Sequence, residues 1–264
     1  MKPLKVAFCI PTYGSQPPNF WGPLAAQFAE AHKFGVDLVG PLTESSMAAD
    51  RNRNALVRRA LATDAEWTYW QDADNINPAK TLKRLLETAG QQRTMVCGLY
   101  YMKKAPYRPV AYRRLADGRY AHIEGWERGE ILEIDAAGMN CVLIHRSVFE
   151  AIDEQFVVLQ RAAGGIVPVH REDIEGDVFD QASAPGDGKV IEGVWQQRVQ
   201  LPSEPVEVPF FYLEYNRTED IAFFEMAKRA GQRLFVDTSV ECGHLDWRVV
   251  SGADYRRAAG GGQA

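Results

Sequence analysis

Two carboxylates one residue apart, Asp72 and Asp74, follow the aromatic run Trp67-Thr-Tyr-Trp70. The run reads as a buried strand. Asn77-Pro78, just beyond, reads as the N-cap and first turn of a helix. Acids at the carboxyl end of a buried strand sit where open α/β sheets bind ligands. Carboxylate oxygens suit hard divalent cations, which are often shared with substrate phosphates. The chemistry expected of Asp72 and Asp74 is therefore a Mg2+ or Mn2+ site that holds a diphosphate; the plainer alternative is a pair of turn caps.

Further groups fall at similar places. Thr218-Glu-Asp220 opens a late helix, where acids complement the helix dipole. If that helix start faces the cleft, one of these acids can act as a general base. His244 follows a late strand in Cys242-Gly-His-Leu245 and is either a ligand or a structural residue. Arg51-Asn-Arg53-Asn54 lies on a helix upstream of the acid pair. It is either a solvated face or a source of one inward Arg for a diphosphate, Asp72 or Asp74. Pro11-Thr-Tyr13 ends the first strand, where Tyr13 can stack on a base and Thr12 can bond to it. Glu44 can accept from a base or ribose, by analogy with the acid of dinucleotide sites.

The elements that must position these groups alternate. Leu4–Ile10 is a buried strand, and about 19–32 a helix. Val36–Val39 is a short strand ending near Gly40-Pro41, and a helix capped by Ser45 or Ser46 runs to about Ala62. The aromatic strand follows, then an amphipathic helix from Pro78 to Ala89 with Leu82, Leu85 and Leu86 at helical spacing. This alternation predicts an α/β domain with a mostly parallel central sheet and helices on both faces.

The second half changes character. Thr94–Leu99 is a strand that runs into a basic, aromatic segment from Tyr100 to Arg114, and Asp117-Gly118 marks a hairpin turn. Ile131–Ile134 and Met139–His145 are strands, a smaller antiparallel portion of the C-terminal half. Ser147 and Glu150 form a capping box for a helix over 147–152. Residues 160–208 lack periodicity and read as a long insertion or loop. Thr218 caps a helix to Ala230 that stops at Gly231, and Leu234–Asp237 is the last strand. One domain over 1–257 is expected, with a nucleotide-binding half (1–93) and an acceptor half (94–257), and a disordered tail at 258–264.

The totals narrow the classes. A length of 264 residues suffices for a full core. A net charge of −5 leaves no electrostatic footprint for nucleic acid or anionic membrane. Cys9, Cys97, Cys141 and Cys242 form no paired motif and read as reduced core thiols of a cytoplasmic protein. The N-terminus does not read as a signal peptide, and no run approaches the ~18 apolar residues of a membrane span. G-x-G-x-x-G, Walker A and G-x-S-x-G motifs are absent, against a Rossmann dehydrogenase, a P-loop kinase and an α/β-hydrolase.

Taken together the motifs resemble the GT-A fold glycosyltransferases, family-2-like members of the nucleotide-diphospho-sugar transferase superfamily. The residues that carry the resemblance are Ile10-Pro-Thr-Tyr13, Arg51-Asn-Arg53-Asn54, Asp72-Ala-Asp74, Gly138-Met-Asn-Cys-Val-Leu-Ile-His-Arg-Ser-Val-Phe149, Thr218-Glu-Asp-Ile-Ala-Phe-Phe224, Gly231, Val236-Asp237 and His244. Their order and approximate spacing match over about residues 4–245. The resemblance implies a single GT-A-like Rossmann-type domain that moves a hexosyl or related sugar from a nucleotide-diphosphate sugar to an acceptor hydroxyl, on a glycan, lipid, small molecule or macromolecule. It implies Mn2+ or Mg2+ on Asp74, Asp72 and His244. Asp72 would also lie toward the ribose. Asp220, with Glu219 beside it, would be the general base of an inverting reaction. Pro11, Thr12, Tyr13, Glu44, Arg51 and Arg53 would contact the donor. Trp126 and the aromatics of 100–112 either stack on a sugar or pack inside. Two departures stand out: Pro41-Leu-Thr-Glu44 replaces a plain strand-end Asp, and 160–208 has no clear counterpart. The rival readings are a sugar-phosphate nucleotidyltransferase, whose Gly-rich first loop Pro11-Thr-Tyr-Gly14 does not supply, and a non-catalytic nucleotide-sugar-binding protein.

Overall fold

Strand β1 (Leu4–Thr12) buries side chains on both faces, as strands inside a covered parallel sheet do. The computed structural model describes residues 3–14, 16–161, 165–174, 189–190, 198–200, 202, 206–213, 217–246 and 249–260. Beside β1 lie β2 (Val36–Ser45) and β3 (Trp67–Trp70), both parallel to it. Then come β4 (Asn75–Ile76), β5 (Met95–Leu99), β6 (Ala111–Arg114), β7 (Tyr120–His122), β8 (Ile131–Ile134), β9 (Ala136–Ala137) and β10 (Val142–His145). The later strands are β11 (Phe156–Arg161), β12 (Ile166–His170), β13 (Lys189–Val190), β14 (Arg198–Gln200), β15 (Leu234–Glu241), β16 (Gly243–Leu245) and β17 (Val249–Val250). The central sheet has seven strands in the order β2-β1-β3-β10-β5-β15-β8. Five run one way, and β10 and β8 run against them. The chain is thus a mixed α/β, Rossmann-like domain with a mostly parallel central sheet, as expected.

Period-two alternation divides the core into two layers. Ala7, Cys9, Trp70, Cys97, Val142 and Ile144 face one side, under α2 (Ala49–Leu61), α4 (Arg146–Gln155) and α5 (Glu219–Arg229). Val6, Phe8, Ile10, Tyr69, Val96 and Leu143 face the other, under α1 (Pro18–Lys33) and α3 (Thr81–Ala89). Leu82 and Leu85 of α3 are buried there, each contributing about 2 kcal/mol of apolar transfer. A final helix, α6 (Gly252–Gly260), stacks Tyr255 between Tyr101 and Trp126. Trp126 is therefore packed, in line with the interior alternative for that residue. The four cysteines are buried free thiols. Among the described residues, no helix is long and apolar enough to cross a membrane.

Several local expectations change. Strand β2 continues through Gly40-Pro41 to Ser45, because a register shift between Ala7 and Cys9 lets pairing resume at Leu42. Helix α3 starts at Thr81 rather than Pro78, since Asn75–Ile76 pairs as a strand and Asn77 turns inward to donate to the Tyr69 hydroxyl at 2.6 Å. Helix α4 is capped by the His145 ring, which accepts from Ser147 N at 3.3 Å, while Glu150 pairs with Arg146 at 3.0 Å. Thr218 is the N-cap residue of α5 without a side-chain cap bond. In the stretch read as a loop, the order β12-β11-β14-β13 forms an antiparallel sheet, and Leu159, Val167, Val169 and Ile174 make its small core. Pro168 hid this strand pattern; it is tolerated because β12 is an edge. Residues 258–260 belong to α6, and 261–264 lie outside the described residues.

Candidate active site

Strands β1, β2, β3, β5 and β15 end at one edge of the sheet. The residues just past them, Tyr13, Asp72, Asp74, Lys103 and His244, converge there with the start of α5. Helix α2 is docked at this edge by Asn52, whose amide donates to Thr12 O and Ser46 O, each at 3.1 Å.

That docking aims Arg53 inward. Its guanidinium is buried, donates from Nη2 to Asp72 Oδ1 at 3.1 Å, and from Nη1 to Glu219 Oε1. One planar fork thereby links the acid motif to the first turn of α5. Burial raises the Asp72 carboxyl above its ordinary value; Arg53 opposes this and the Asp74 charge adds to it. Burial likewise raises Glu219, again opposed by Arg53. Asp220 lies close enough for its charge to act on Arg53, Asp72 and Tyr100. Its Oδ1 accepts from Ile221 N at 3.2 Å, and among the described residues it makes no ion pair.

Asp74 sits in different company. Its Oδ2 is 2.7 Å from Lys103 Nζ and 3.4 Å from His244 Nε2. Burial pushes its carboxyl up, but hydrogen bonds from His244 and Lys103 outweigh this and bring it down to about 2. The two distant segments meet because β16 pairs with β4: His244 stands opposite Asn75, and Leu245 N donates to Asp74 O at 2.6 Å. The other His244 nitrogen, Nδ1, is 2.8 Å from Tyr101 O. A carbonyl only accepts, so Nδ1 carries the hydrogen and Nε2 faces the Asp74 carboxylate. A lone pair facing a carboxylate is repulsive, so a positive charge belongs between them, either a proton or a metal cation.

This pair fits a divalent cation. An imidazole nitrogen and a carboxylate oxygen 3.4 Å apart can be neighbouring ligands of one ion, and Mg2+ or Mn2+ commonly takes its remaining oxygens from phosphates and water. Among the described residues no group of three or more His, Cys, Asp or Glu side chains forms a metal cluster. The expected trio is not preassembled, since Asp72 is engaged by Arg53. The fit is to an ion shared with a ligand, not to one held by protein alone.

No family model matches this chain, and no curated protein matches it. Among solved structures, A197 from STIV aligns at 16% identity with a TM-score of 0.52, over 95% of this chain and 91% of that one. The chain shares the fold of A197. A structure of GalNAc-T7 with UDP, GalNAc and Mn2+ aligns at 9% identity with a TM-score of 0.46, over 98% of this chain and 48% of that one.

Of the other residues singled out in the sequence, Tyr13 stands in the cleft, 60% exposed and within electrostatic reach of Arg53, Asp72, Glu219 and Asp74. Pro11 and Thr12 are buried. Thr12 donates its hydroxyl to Glu44 O at 3.1 Å, so the group expected at a base joins two strands instead. The Glu44 side chain is partly exposed and 3.5 Å from Arg59 Nη1. Arg51 points to the exposed side of α2, away from the face that carries Arg53.

Three residues contribute in ways that the sequence does not show. Lys103 is the first, although it lies in the basic, aromatic segment noted above. Asn54 is the second: its amide donates to Phe211 O at 2.6 Å and its carbonyl accepts from Phe211 N at 3.0 Å. Phe211 in turn stacks on Phe223 of α5 at 4.7 Å, so Asn54 helps fix where α5 begins. Tyr100 is the third. Its hydroxyl occupies the space a Cβ would take at Gly138, 1.7 Å from that position.

Proposed function

We propose that this chain is a glycosyltransferase that uses a divalent cation, Mn2+ or Mg2+, to move a sugar from a nucleotide-diphosphate sugar to an acceptor hydroxyl, with inversion. The observation that carries the reading is the pairing of Asp74 with a tautomer-fixed His244 on the same sheet edge as the acids that open α5.

Asp74 and His244 would hold the cation. When bound, it supplies positive charge beside the diphosphate as the glycosidic bond breaks. Tyr13, on the rim, is positioned to cover the nucleoside; Arg53 holds Asp72 in place and favours its ionised form. Glu219 is committed to Arg53, which leaves Asp220 as the acid to receive the acceptor proton. A carboxylate within hydrogen-bond reach of an acceptor hydroxyl takes its proton as the oxygen attacks the anomeric carbon. The leaving diphosphate departs on the opposite face of the sugar.

The testing experiment is a panel of nucleotide sugars, each with and without Mn2+, read by release of nucleoside diphosphate. Release from one donor that needs Mn2+ and disappears in Asp74→Asn supports the reading. Pyrophosphate release from a nucleoside triphosphate and a sugar phosphate would replace it with nucleotidyl transfer.

A further inference from the structure

We infer that Lys103 is the exchangeable counter-ion of this site: it takes the cation's place on Asp74 when the site is empty, and passes to the diphosphate when cation and donor bind. The inference rests on the proposed function above.

Lys103 Nζ and His244 Nε2 approach the same oxygen, Asp74 Oδ2, at 2.7 and 3.4 Å. A divalent ion binds such an oxygen at about 2.1 Å. An ammonium left at hydrogen-bond distance from that oxygen would then lie against the ion, and the two like charges repel. One of the two must leave.

Lys103 can move without refolding its loop. The backbone around it is held as a hairpin: Met102 N donates to Arg108 O and Tyr107 N to Lys104 O, each at 2.9 Å. The side chain is 34% exposed and has a flexible four-carbon stem. Arg53, the other cation of the site, is buried and fixed between two acids. The four carboxylates Asp72, Asp74, Glu219 and Asp220 face Arg53, Lys103 and His244, so with His244 neutral the acids outnumber the basic groups by two, and a proton on His244 halves that surplus. A diphosphate meets this surplus unless positive charge is added. A divalent cation cancels it and frees the ammonium to meet the phosphates.

The test is Mn2+ binding to the full chain without nucleotide, read from the electron paramagnetic resonance of free Mn2+. Lys103→Met is expected to tighten Mn2+ binding about three- to tenfold. Lys103→Arg, which keeps the charge, stays near wild type. Asp74→Asn weakens binding by at least about tenfold. With Mn2+ saturating, Lys103→Met weakens binding of whichever of UDP, GDP, CDP and ADP the wild type binds best, by about tenfold. Opposite effects on the two ligands are not produced by a merely structural lysine. Lys103→Gln serves if the Met variant folds poorly, as judged by its melting temperature. Unchanged Mn2+ affinity in both neutral variants, with Asp74→Asn still impaired, overturns the exchange and leaves the cation reading intact. No Mn2+ binding by wild type or variants, either alone or with any of UDP, GDP, CDP and ADP present, overturns both.

Discussion

The Arg53 guanidinium donates to Asp72 across 3.1 Å from within the protein, joining the second helix to the acid motif. Its other terminal nitrogen holds Glu219. Removing one partner of a buried pair leaves the other charges uncompensated. Arg53→Ala should therefore cost about 3 kcal/mol in urea unfolding at neutral pH. Lys lacks the fork that spans both acids, so Arg53→Lys should restore less than half of this. A fully stable Arg53→Lys protein would show that the bridge is not the source.

The pH dependence of that loss has a definite sign. Asp72 and Glu219 are already raised by burial, and Arg53 opposes the rise in both. Without Arg53 they rise further. An acid with a raised folded value destabilises the fold where it is ionised and ceases to do so once protonated. The difference in stability between wild type and Arg53→Ala should shrink as pH falls through the raised values. Unfolding curves from neutral pH to pH 4 check this, and a constant difference would contradict it.

Asp237 provides a contrasting case away from the cleft. It is fully buried, accepts from Thr88 Oγ1 at 2.5 Å, Ser239 N at 2.9 Å and Ser239 Oγ at 2.5 Å, and forms an ion pair with Arg84 Nε at 3.0 Å. Burial raises its carboxyl, but the Ser239 and Thr88 hydrogen bonds prevail and hold it below the ordinary value. Its contribution is present above the unfolded carboxylate range and is lost as pH falls through the lower folded value. Asp237→Ala should cost about 3 kcal/mol at pH 7, with the gap to wild type narrowing in acid.

Asn54 and Phe211 give a local readout. Asn54→Ala removes both hydrogen bonds to the Phe211 backbone, at about 2 kcal/mol. Amide exchange should speed up over 210–213 and in the first turn of α5, while β1 and β3 keep their protection. Unchanged exchange at Phe211 would show that Asn54 does not fix this strip.

Gly138 and Tyr100 should couple. A Cβ at 138 would lie 1.7 Å from the Tyr100 hydroxyl oxygen and 2.8 Å from the ring carbon that bears it. Gly138→Ala should destabilise by about 2 kcal/mol or more. Adding Tyr100→Phe removes the worse clash and should recover part of that loss. Additive effects in the double variant would deny the contact.

Much of this arrangement is legible in the sequence because it depends on local signals. The apolar run of β1, the aromatic β3 and the leucines of α3 encode the two-layer sheet through their periods. Asp72 and Asp74 stand out because they follow a strand directly. The rest depends on pairing between distant segments. His244 reaches Asp74 through the two-residue strand Asn75–Ile76, too short to show a period. Lys103 reaches it from a hairpin whose start is set by where β5 ends. Gly40-Pro41 reads as a stop, yet β2 passes through because its partner shifts register. The capping box of Ser147 and Glu150 is overruled by a neighbour, since the His145 ring already faces Ser147 N.

The central claim assigns donor binding to Asp74 and proton removal to Asp220, and one paired measurement separates them. With the donor that the wild type turns over, Mn2+-dependent donor binding and transfer are measured for Asp74→Asn and Asp220→Asn. Asp220→Asn is expected to bind donor within about threefold of wild type while transfer falls at least about a hundredfold. Asp74→Asn should lose donor binding itself. Equal transfer by Asp220→Asn and wild type would contradict the account.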